Sequence, residues 1–237
     1  MANPYLPIPG DWAKMTLAPI PDAGFILQVD SGGTPSTSEE GFWDGDTPWL
    51  TPREITRLGD AVYVADTERK ITEVGLRNSA AKLMPPDTVL LTKRAPVGVV
   101  AINAVAMATN QGFLNFQCGP RLRPLYLVHW LRANRAYLAQ VANGSTYPEL
   151  YASDLFEFVA GFPPVEEQDA ILSWIRSIQF LVEIGVPLEQ SAESAREMVA
   201  HQIQTQRIGR MGLSLSEALL AGEIRVANFA PPLAASV

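Results

Sequence analysis

Two consecutive prolines, Pro163 and Pro164, divide the sequence into two dissimilar parts. Proline cannot donate to a sheet ladder, and it disfavours helix in the residue before it, so a regular element is expected to end here. Val165-Glu-Glu-Gln168 follows, and acidic side chains suit the first turn of a new helix. The sequence therefore predicts an α+β protein, with a mixed, strand-rich domain over 1–163 and a helical segment over 164–237.

The helical segment carries an apolar stripe. Its members recur at alternating spacings of three and four, which is the pattern of a coiled coil. The pattern continues through Pro187, which favours one long, kinked helix. One helix cannot bury such a stripe alone, so we expect a partner helix. The predicted spacer and dimerisation residues are Ile171, Trp174, Ile178, Leu181, Leu188, Ala192, Ala195 and Val199.

The part before the prolines is predicted to be a series of short elements. Thr51-Pro-Arg-Glu54 has the residues of a capping box and predicts a helix that Gly59 ends. Asp44-Gly45-Asp46 predicts a turn. The other predicted elements are strands at 61–65, 71–74, 88–92, 97–102 and 156–162, and a helix at about 124–141.

Charge is distributed unevenly along the chain. The net charge is −7, yet residues 61–137 hold 10 Lys and Arg against 4 Asp and Glu. The corresponding counts are 3 against 9 for residues 1–60 and 5 against 12 for residues 138–237. This segregation predicts one basic face on an acidic body, which suits a polyanionic partner such as nucleic acid.

The composition indicates the cellular compartment in which the chain folds. Its single cysteine, Cys118, allows no internal disulfide, which suits a reducing cytosol. The N-terminus has no signal-peptide pattern, and no apolar run approaches the roughly 20 residues of a membrane span. We therefore expect a cytoplasmic protein that has no membrane partner.

Motifs of catalysis are scarce in this sequence. His129 and His201 have no second metal ligand at a suitable spacing, and there is no phosphate-binding loop or nucleophile elbow. We therefore expect no catalytic residues, no metal and no cofactor. An alternative stays open: Asp22 with Glu68 and Lys70 could form the Asp…Glu-x-Lys core of a divergent metal-dependent nuclease.

Several short segments occur in an informative order. They are Gly32-Gly-Thr-Pro-Ser36, Phe42-Trp-Asp-Gly45 with Pro48-Trp49, Ile71-Thr72 with Gly75-Leu76, Asn78-Ser-Ala-Ala-Lys82, Pro86 to Gly98, Thr109-Asn-Gln-Gly-Phe113, Gly144 to Glu149, Pro163 to Ile171 and Leu219 to Val226. Together they resemble the target recognition domain and spacer helix of the DNA-specificity subunit of type I restriction–modification systems.

The resemblance implies a function and a set of partners. Family members usually carry two recognition domains and two spacer helices, whereas this sequence has one of each and so resembles a half-subunit. The resemblance implies a non-catalytic subunit that reads one half of a bipartite site in double-stranded DNA and pairs with a second copy of itself. An adenine methyltransferase subunit would bind it, with or without a restriction translocase subunit. Two alternatives stay open: a divergent metal-dependent restriction nuclease with its own recognition domain, and an interaction protein that binds a methyltransferase but no DNA. Only those partner subunits would hold S-adenosylmethionine and magnesium.

The basic segment supplies the predicted DNA contacts. Cationic side chains would bind phosphates and orient the domain, while polar loop side chains would read base edges. The candidates are Arg69, Lys70, Arg77, Lys82, Lys93 and Arg94, together with Asn78 and Ser79.

Overall fold

The computed structural model describes residues 8–142 and 149–183. The strands are β1 (Ala13–Thr16), β2 (Ile26–Ser31), β3 (Trp43–Leu50), β4 (Tyr63–Val64), β5 (Lys70–Ile71), β6 (Val89–Thr92), β7 (Val100–Asn103), β8 (Ala108–Thr109), β9 (Phe113–Cys118) and β10 (Val159–Phe162). The helices are α1 (Pro52–Arg57), α2 (Glu73–Arg77), α3 (Pro124–Ala133), α4 (Arg135–Val141), α5 (Ala152–Phe156) and α6 (Val165–Glu183).

The chain forms two compact units, and the larger one comprises Thr16–Val159. Its main sheet has five strands in the order β2-β9-β6-β7-β4. All pairs are antiparallel except the parallel pair β4-β7. Every residue of β6 and β7 is buried, and α3 packs against both strands. These strands therefore form the centre of the larger unit, as their dense apolar and β-branched residues predict.

A second sheet in the same unit has the order β5-β3-β8. The sequence predicts a turn at Asp44-Gly45-Asp46, but the structure places this segment within β3. The strand is nevertheless irregular there, because both Trp43 and Thr47 oppose Ile71. Asp44 has a φ of 59°, which an ordinary strand residue does not adopt. The Asp-Gly signal thus marks a bulge within the strand.

Local capping residues decide the outcome of two further predictions. The helix at Thr51 is confirmed as α1, and the Thr51 N–H donates to Glu54 Oε2 at 3.0 Å. The strand predicted at 71–74 is wrong beyond Ile71. Thr72 caps α2 instead, since its hydroxyl oxygen accepts a hydrogen bond from the Gly75 N–H at 3.0 Å.

A predicted helix and the last predicted strand are shorter than expected. The helix predicted at 124–141 is divided at Asn134 into α3 and α4, and the Asn134 side chain donates to the Trp130 carbonyl at 2.8 Å. This side-chain bond competes with continued helix. The strand predicted at 156–162 begins only at Val159, because Phe156 ends α5.

The smaller unit includes residues 8–15 and 160–183. It contains the two-stranded sheet of β1 and β10 and the helix α6. α6 begins directly after the two prolines, with Glu166 and Glu167 in its first turn. The Gln168 side chain donates to the Pro163 carbonyl at 2.9 Å, which fixes the start of the helix.

The predicted apolar stripe is described only at its start. Ile171 and Trp174 are buried. Ile178 and Leu181 belong to α6, whereas Leu188, Ala192, Ala195 and Val199 lie outside the described residues, as does Pro187. The mixed α+β class is confirmed, and the coiled coil and the domain boundary after residue 163 remain predictions. Among the described residues, no helix has the length and apolar character needed to cross a membrane.

Candidate nucleic-acid interface

A buried aromatic cluster lies at the β5-β3-β8 sheet. It consists of Trp43, Trp49, Ile71, Ala81 and Ala108. The first four come from three of the short segments singled out in the sequence, and Ala108 directly precedes a fourth. Trp43 and Trp49 meet edge to face, with ring centroids 5.1 Å apart and planes at 82°. This arrangement is favourable for two aromatic rings and fixes both of them.

The two indoles also hold the Gly-Gly-Thr-Pro-Ser loop. Trp43 Nε1 donates to the Ser36 carbonyl at 3.0 Å, and Trp49 Nε1 donates to the Gly33 carbonyl at 2.9 Å. Gly33 can be no other residue without movement of the chain, because a Cβ there would lie 2.2 Å from the Ala80 carbonyl carbon. The motif segments are therefore parts of one packed structure.

Exposed polar side chains surround this structure. Thr34 donates its hydroxyl hydrogen to the Gln111 side-chain carbonyl, and the hydroxyls of Ser36 and Ser38 are 2.8 Å apart. Sequence reasoning did not select these four residues as candidates for base reading. Their presence within or beside the Gly-Gly-Thr-Pro-Ser and Thr-Asn-Gln-Gly-Phe segments was the available signal.

Arg69 lies over the aromatic cluster. Its guanidinium carbon is 3.4 Å from the centroid of the Trp43 ring and 5.6 Å from that of Trp49. The Arg69 carbonyl accepts hydrogen bonds from the Trp49 N–H at 3.1 Å and from the Thr67 hydroxyl at 2.6 Å. Both the main chain and the side chain of this residue are therefore held in place.

The other predicted cations around this sheet are paired with carboxylates. Lys70 Nζ is 3.1 Å from Asp66, whose pKa is lowered by the hydrogen bond from Lys70. Arg77 forms an ion pair with Glu73 across one turn of α2. Both pairs are largely exposed, and such pairs contribute little to stability.

Lys82 pairs with a buried carboxylate. Its Nζ lies 2.5 Å from Asp30 Oδ1, and the Gln28 amide donates to the other oxygen at 2.5 Å. Only 5% of the Asp30 side chain is exposed. A buried carboxylate is costly unless it is paired, so Lys82 has a structural part in the domain.

Lys93 and Arg94 lie apart from the aromatic cluster, at the end of β6 in the main sheet. Glu149 joins them, at 3.4 Å from Lys93 Nζ and 3.2 Å from Arg94 Nε. Backbone pairing holds the triad, since the Leu150 N–H donates to the Lys93 carbonyl at 2.8 Å. Burial alone would raise the pKa of Glu149, but hydrogen bonds and charge from Arg94 and Lys93 lower it overall.

The two polar candidates serve the local backbone. The Asn78 amide donates to the Val74 carbonyl at 2.9 Å and so helps to end α2. The Ser79 hydroxyl oxygen accepts from the Ala81 N–H at 3.2 Å. The structure thus brings six of the predicted residues to the region of α2 and the β5-β3-β8 sheet, and places the remaining two, Lys93 and Arg94, elsewhere.

The residues proposed for a nuclease have other contacts. Glu68 forms an ion pair with Arg57, and Lys70 pairs with Asp66. In the part of the chain that the structure describes, no group of three or more His, Cys, Asp or Glu side chains could hold a metal ion.

His129 is buried in α3, and burial together with the charge of Arg132 lowers its pKa to about 4.

Solved structures share this fold. One is a chain from a structure titled for complex assembly and conformational transition of the type I restriction–modification system, with a TM-score of 0.60 and 20% identity. The match covers 94% of this chain and 48% of that one. The specificity subunit HsdS from Thermoanaerobacter tengcongensis gives a TM-score of 0.56 at 19% identity, over 93% of this chain and 44% of HsdS. The chain therefore shares the fold of these two proteins.

Sequence comparisons give the family. The sequence model for the type I restriction modification DNA specificity domain matches residues 9–183. The specificity subunit of the MjaIX type I restriction enzyme of Methanocaldococcus jannaschii is 36% identical over 178 residues, which are 74% of this chain and 40% of that subunit. The chain thus spans less than half the length of these relatives.

This protein belongs to the type I restriction–modification DNA specificity family, and it contains one recognition domain. The predicted resemblance is confirmed, together with the interpretation of the chain as a specificity subunit rather than an enzyme. The nuclease alternative gains no support from these relatives.

Proposed function

We propose that this chain reads one half of a bipartite DNA site, binds an adenine methyltransferase subunit and acts as a homodimer in the cytoplasm. The observation that carries the proposal is the family match over residues 9–183, which covers nearly all of the predicted recognition domain and the described part of α6. A restriction translocase subunit is a further proposed partner. S-adenosylmethionine and magnesium belong to the partner subunits in this scheme.

DNA affinity is proposed to come from the basic segment. Residues 61–137 carry the excess of Lys and Arg, and the predicted contacts Arg69, Lys70, Arg77, Lys82, Lys93 and Arg94 belong to it. Cations that bind phosphates release condensed counterions, so binding should weaken as salt rises. Asn78 and Ser79 remain proposed polar contacts.

The homodimer follows from the single helix. α6 begins the proposed spacer. The first members of its apolar stripe, Ile171 and Trp174, are already buried within the chain, and the stripe continues in the sequence to Val199. A second copy offers an identical stripe, so two helices could bury one another in a two-fold symmetric pair. A symmetric dimer would recognise a symmetric, interrupted site.

Equilibrium DNA binding tests this function. The full chain should bind a fluorescent 30-base-pair duplex, measured by anisotropy, with an affinity that falls steeply as salt rises. Changing both Lys93 and Arg94 to Ala should weaken binding and reduce the salt slope by up to about 2. A slope equal to that of the wild type would remove these two residues from the interface, and no binding even at low salt would contradict the function.

A further inference from the structure

Arg69 differs from the other cations proposed to contact DNA. Within the described residues, Lys70, Arg77, Lys82, Lys93 and Arg94 each have a carboxylate within 4.0 Å. Arg69 is exposed and has no carboxylate within that distance among the described residues, nor does its guanidinium make a hydrogen bond to them. Its positive charge is therefore not neutralised locally.

The stacked geometry leaves the guanidinium donors available. The N–H groups of arginine lie in the plane of the guanidinium. The guanidinium carbon is 3.4 Å from the Trp43 ring centroid, which is too close for an edge-on approach, so the ring faces one side of that plane. Stacking therefore orients the planar group without using its donors. The stack is firm, because Trp43 is only 8% exposed and its own N–H is bound to Ser36.

We propose that Arg69 is a DNA-contact residue that uses its oriented guanidinium to bind a pair of neighbouring hydrogen-bond acceptors on DNA. Two sources present this chemistry: the O6 and N7 atoms of guanine in the major groove, and a pair of phosphate oxygens. A guanidinium that is already oriented loses little conformational freedom when it binds such a pair. This inference rests on the proposed DNA-binding function and adds a residue and a contact chemistry to it.

If Arg69 only covers the Trp43 ring, its substitutions should change DNA binding in a different way. Arg69→Met keeps an apolar chain over the indole and removes the charge and the donors. Arg69→Lys keeps the charge and removes the planar fork. Arg121→Met is the matched control, because Arg121 is also stacked, with its guanidinium carbon 4.4 Å from the Phe25 ring centroid, but lies outside the proposed contacts.

The experiment selects DNA from a library of duplexes with a randomised centre, using the full chain and each variant. Arg69→Met is expected to lower affinity for the wild-type consensus about tenfold or more, while its melting temperature stays close to that of the wild type. Arg121→Met should bind like the wild type. If guanine is the target, both Arg69 variants lose preference at one G·C pair. If phosphate is the target, Arg69→Met loses affinity for all sequences with a salt slope smaller by about 1, and Arg69→Lys largely restores it.

The outcomes separate this inference from the proposed function. Wild-type protein that selects a consensus, with Arg69→Met equal to it in affinity and sequence preference, overturns the inference and leaves the function standing. A second result would also overturn the inference: Arg69→Met loses binding only to the extent that its melting temperature falls, while Arg69→Lys binds with the affinity and sequence preference of the wild type. That result would indicate that Arg69 only covers Trp43. Wild-type protein that enriches no sequence and binds no duplex contradicts both.

Discussion

At the residue scale, Gly33 shows why the Gly-Gly-Thr-Pro-Ser segment tolerates few substitutions. A methyl group at this position would lie 2.2 Å from a backbone atom of Ala80, which cannot rotate away. Gly33→Ala should therefore destabilise the larger unit by roughly 1–3 kcal/mol, as overpacking does elsewhere. Urea denaturation measures the difference.

Gly41 provides the control for that substitution. A Cβ at Gly41 would meet no atom within 4 Å, and its φ lies outside the left-handed region. Gly41→Ala should leave the free energy of unfolding nearly unchanged. Equal stability of the Gly33 and Gly41 variants would contradict the close packing of the loop against Ala80.

His129 makes the stability of the domain depend on pH. Burial and the Arg132 charge lower its folded-state pKa to about 4 from an ordinary value of 6.5. The unfolded chain therefore binds a proton at a higher pH than the folded chain, and stability falls as pH drops from 6.5 toward 4. The loss over that interval is about 3 kcal/mol. His129→Gln, which does not titrate, should lose less stability across the same interval in urea denaturation. Parallel curves for the two proteins would show that His129 is not held neutral.

At the scale of elements, the Glu149 triad decides how strongly the end of β6 can attract DNA. Glu149 is ionised at pH 7, because Arg94 and Lys93 hold its pKa below the ordinary value. Glu149→Gln would free two cations, so DNA affinity should rise severalfold and the salt slope should become steeper. Anisotropy at several salt concentrations measures both quantities. An unchanged salt slope would indicate that Lys93 and Arg94 do not contact DNA and only hold Glu149 against the end of β6.

Local signals predicted some elements well. α1 was predictable because the residues that start and end it are close to it in sequence. Thr51 caps its first turn, and Gly59, with a positive φ, follows its last turn. The start of α6 was predictable for the same reason, as prolines and acidic residues adjoin it. The strand predicted at 71–74 failed because Thr72 has both strand propensity and capping ability, and its hydrogen bond to Gly75 selects the helix.

Other features depend on tertiary contacts that no local pattern contains. Lys82 and Asp30 are 52 residues apart in sequence, so their ion pair could not be predicted. The basic segment was visible as a composition bias, but only the structure distinguishes the stacked Arg69 from cations paired with carboxylates. The aromatic cluster likewise explains the glycine-rich motif, whose sequence alone predicted only a loop.

At the scale of the whole molecule, the proposed function requires two copies of the chain. The sequence holds one recognition domain and one apolar stripe, and the chain covers 40% of the MjaIX subunit. Sedimentation equilibrium of the full chain at micromolar concentration should give twice the monomer mass of 25.8 kDa. Replacing Leu188 and Val199 with Asp should shift the protein toward monomer, because a charge in an apolar seam is costly. A wild-type monomer, alone and with its methyltransferase subunit, would contradict the homodimer.

The central claim is that a two-fold pair of these chains recognises a specific, interrupted DNA sequence. Selection by the wild-type full chain from duplexes with a 30-base-pair randomised centre tests this claim most directly. We expect enrichment of two identical half-sites in inverted orientation, separated by a gap of fixed length. Failure to enrich any sequence, or enrichment of a half-site with no fixed-distance repeat, would contradict it.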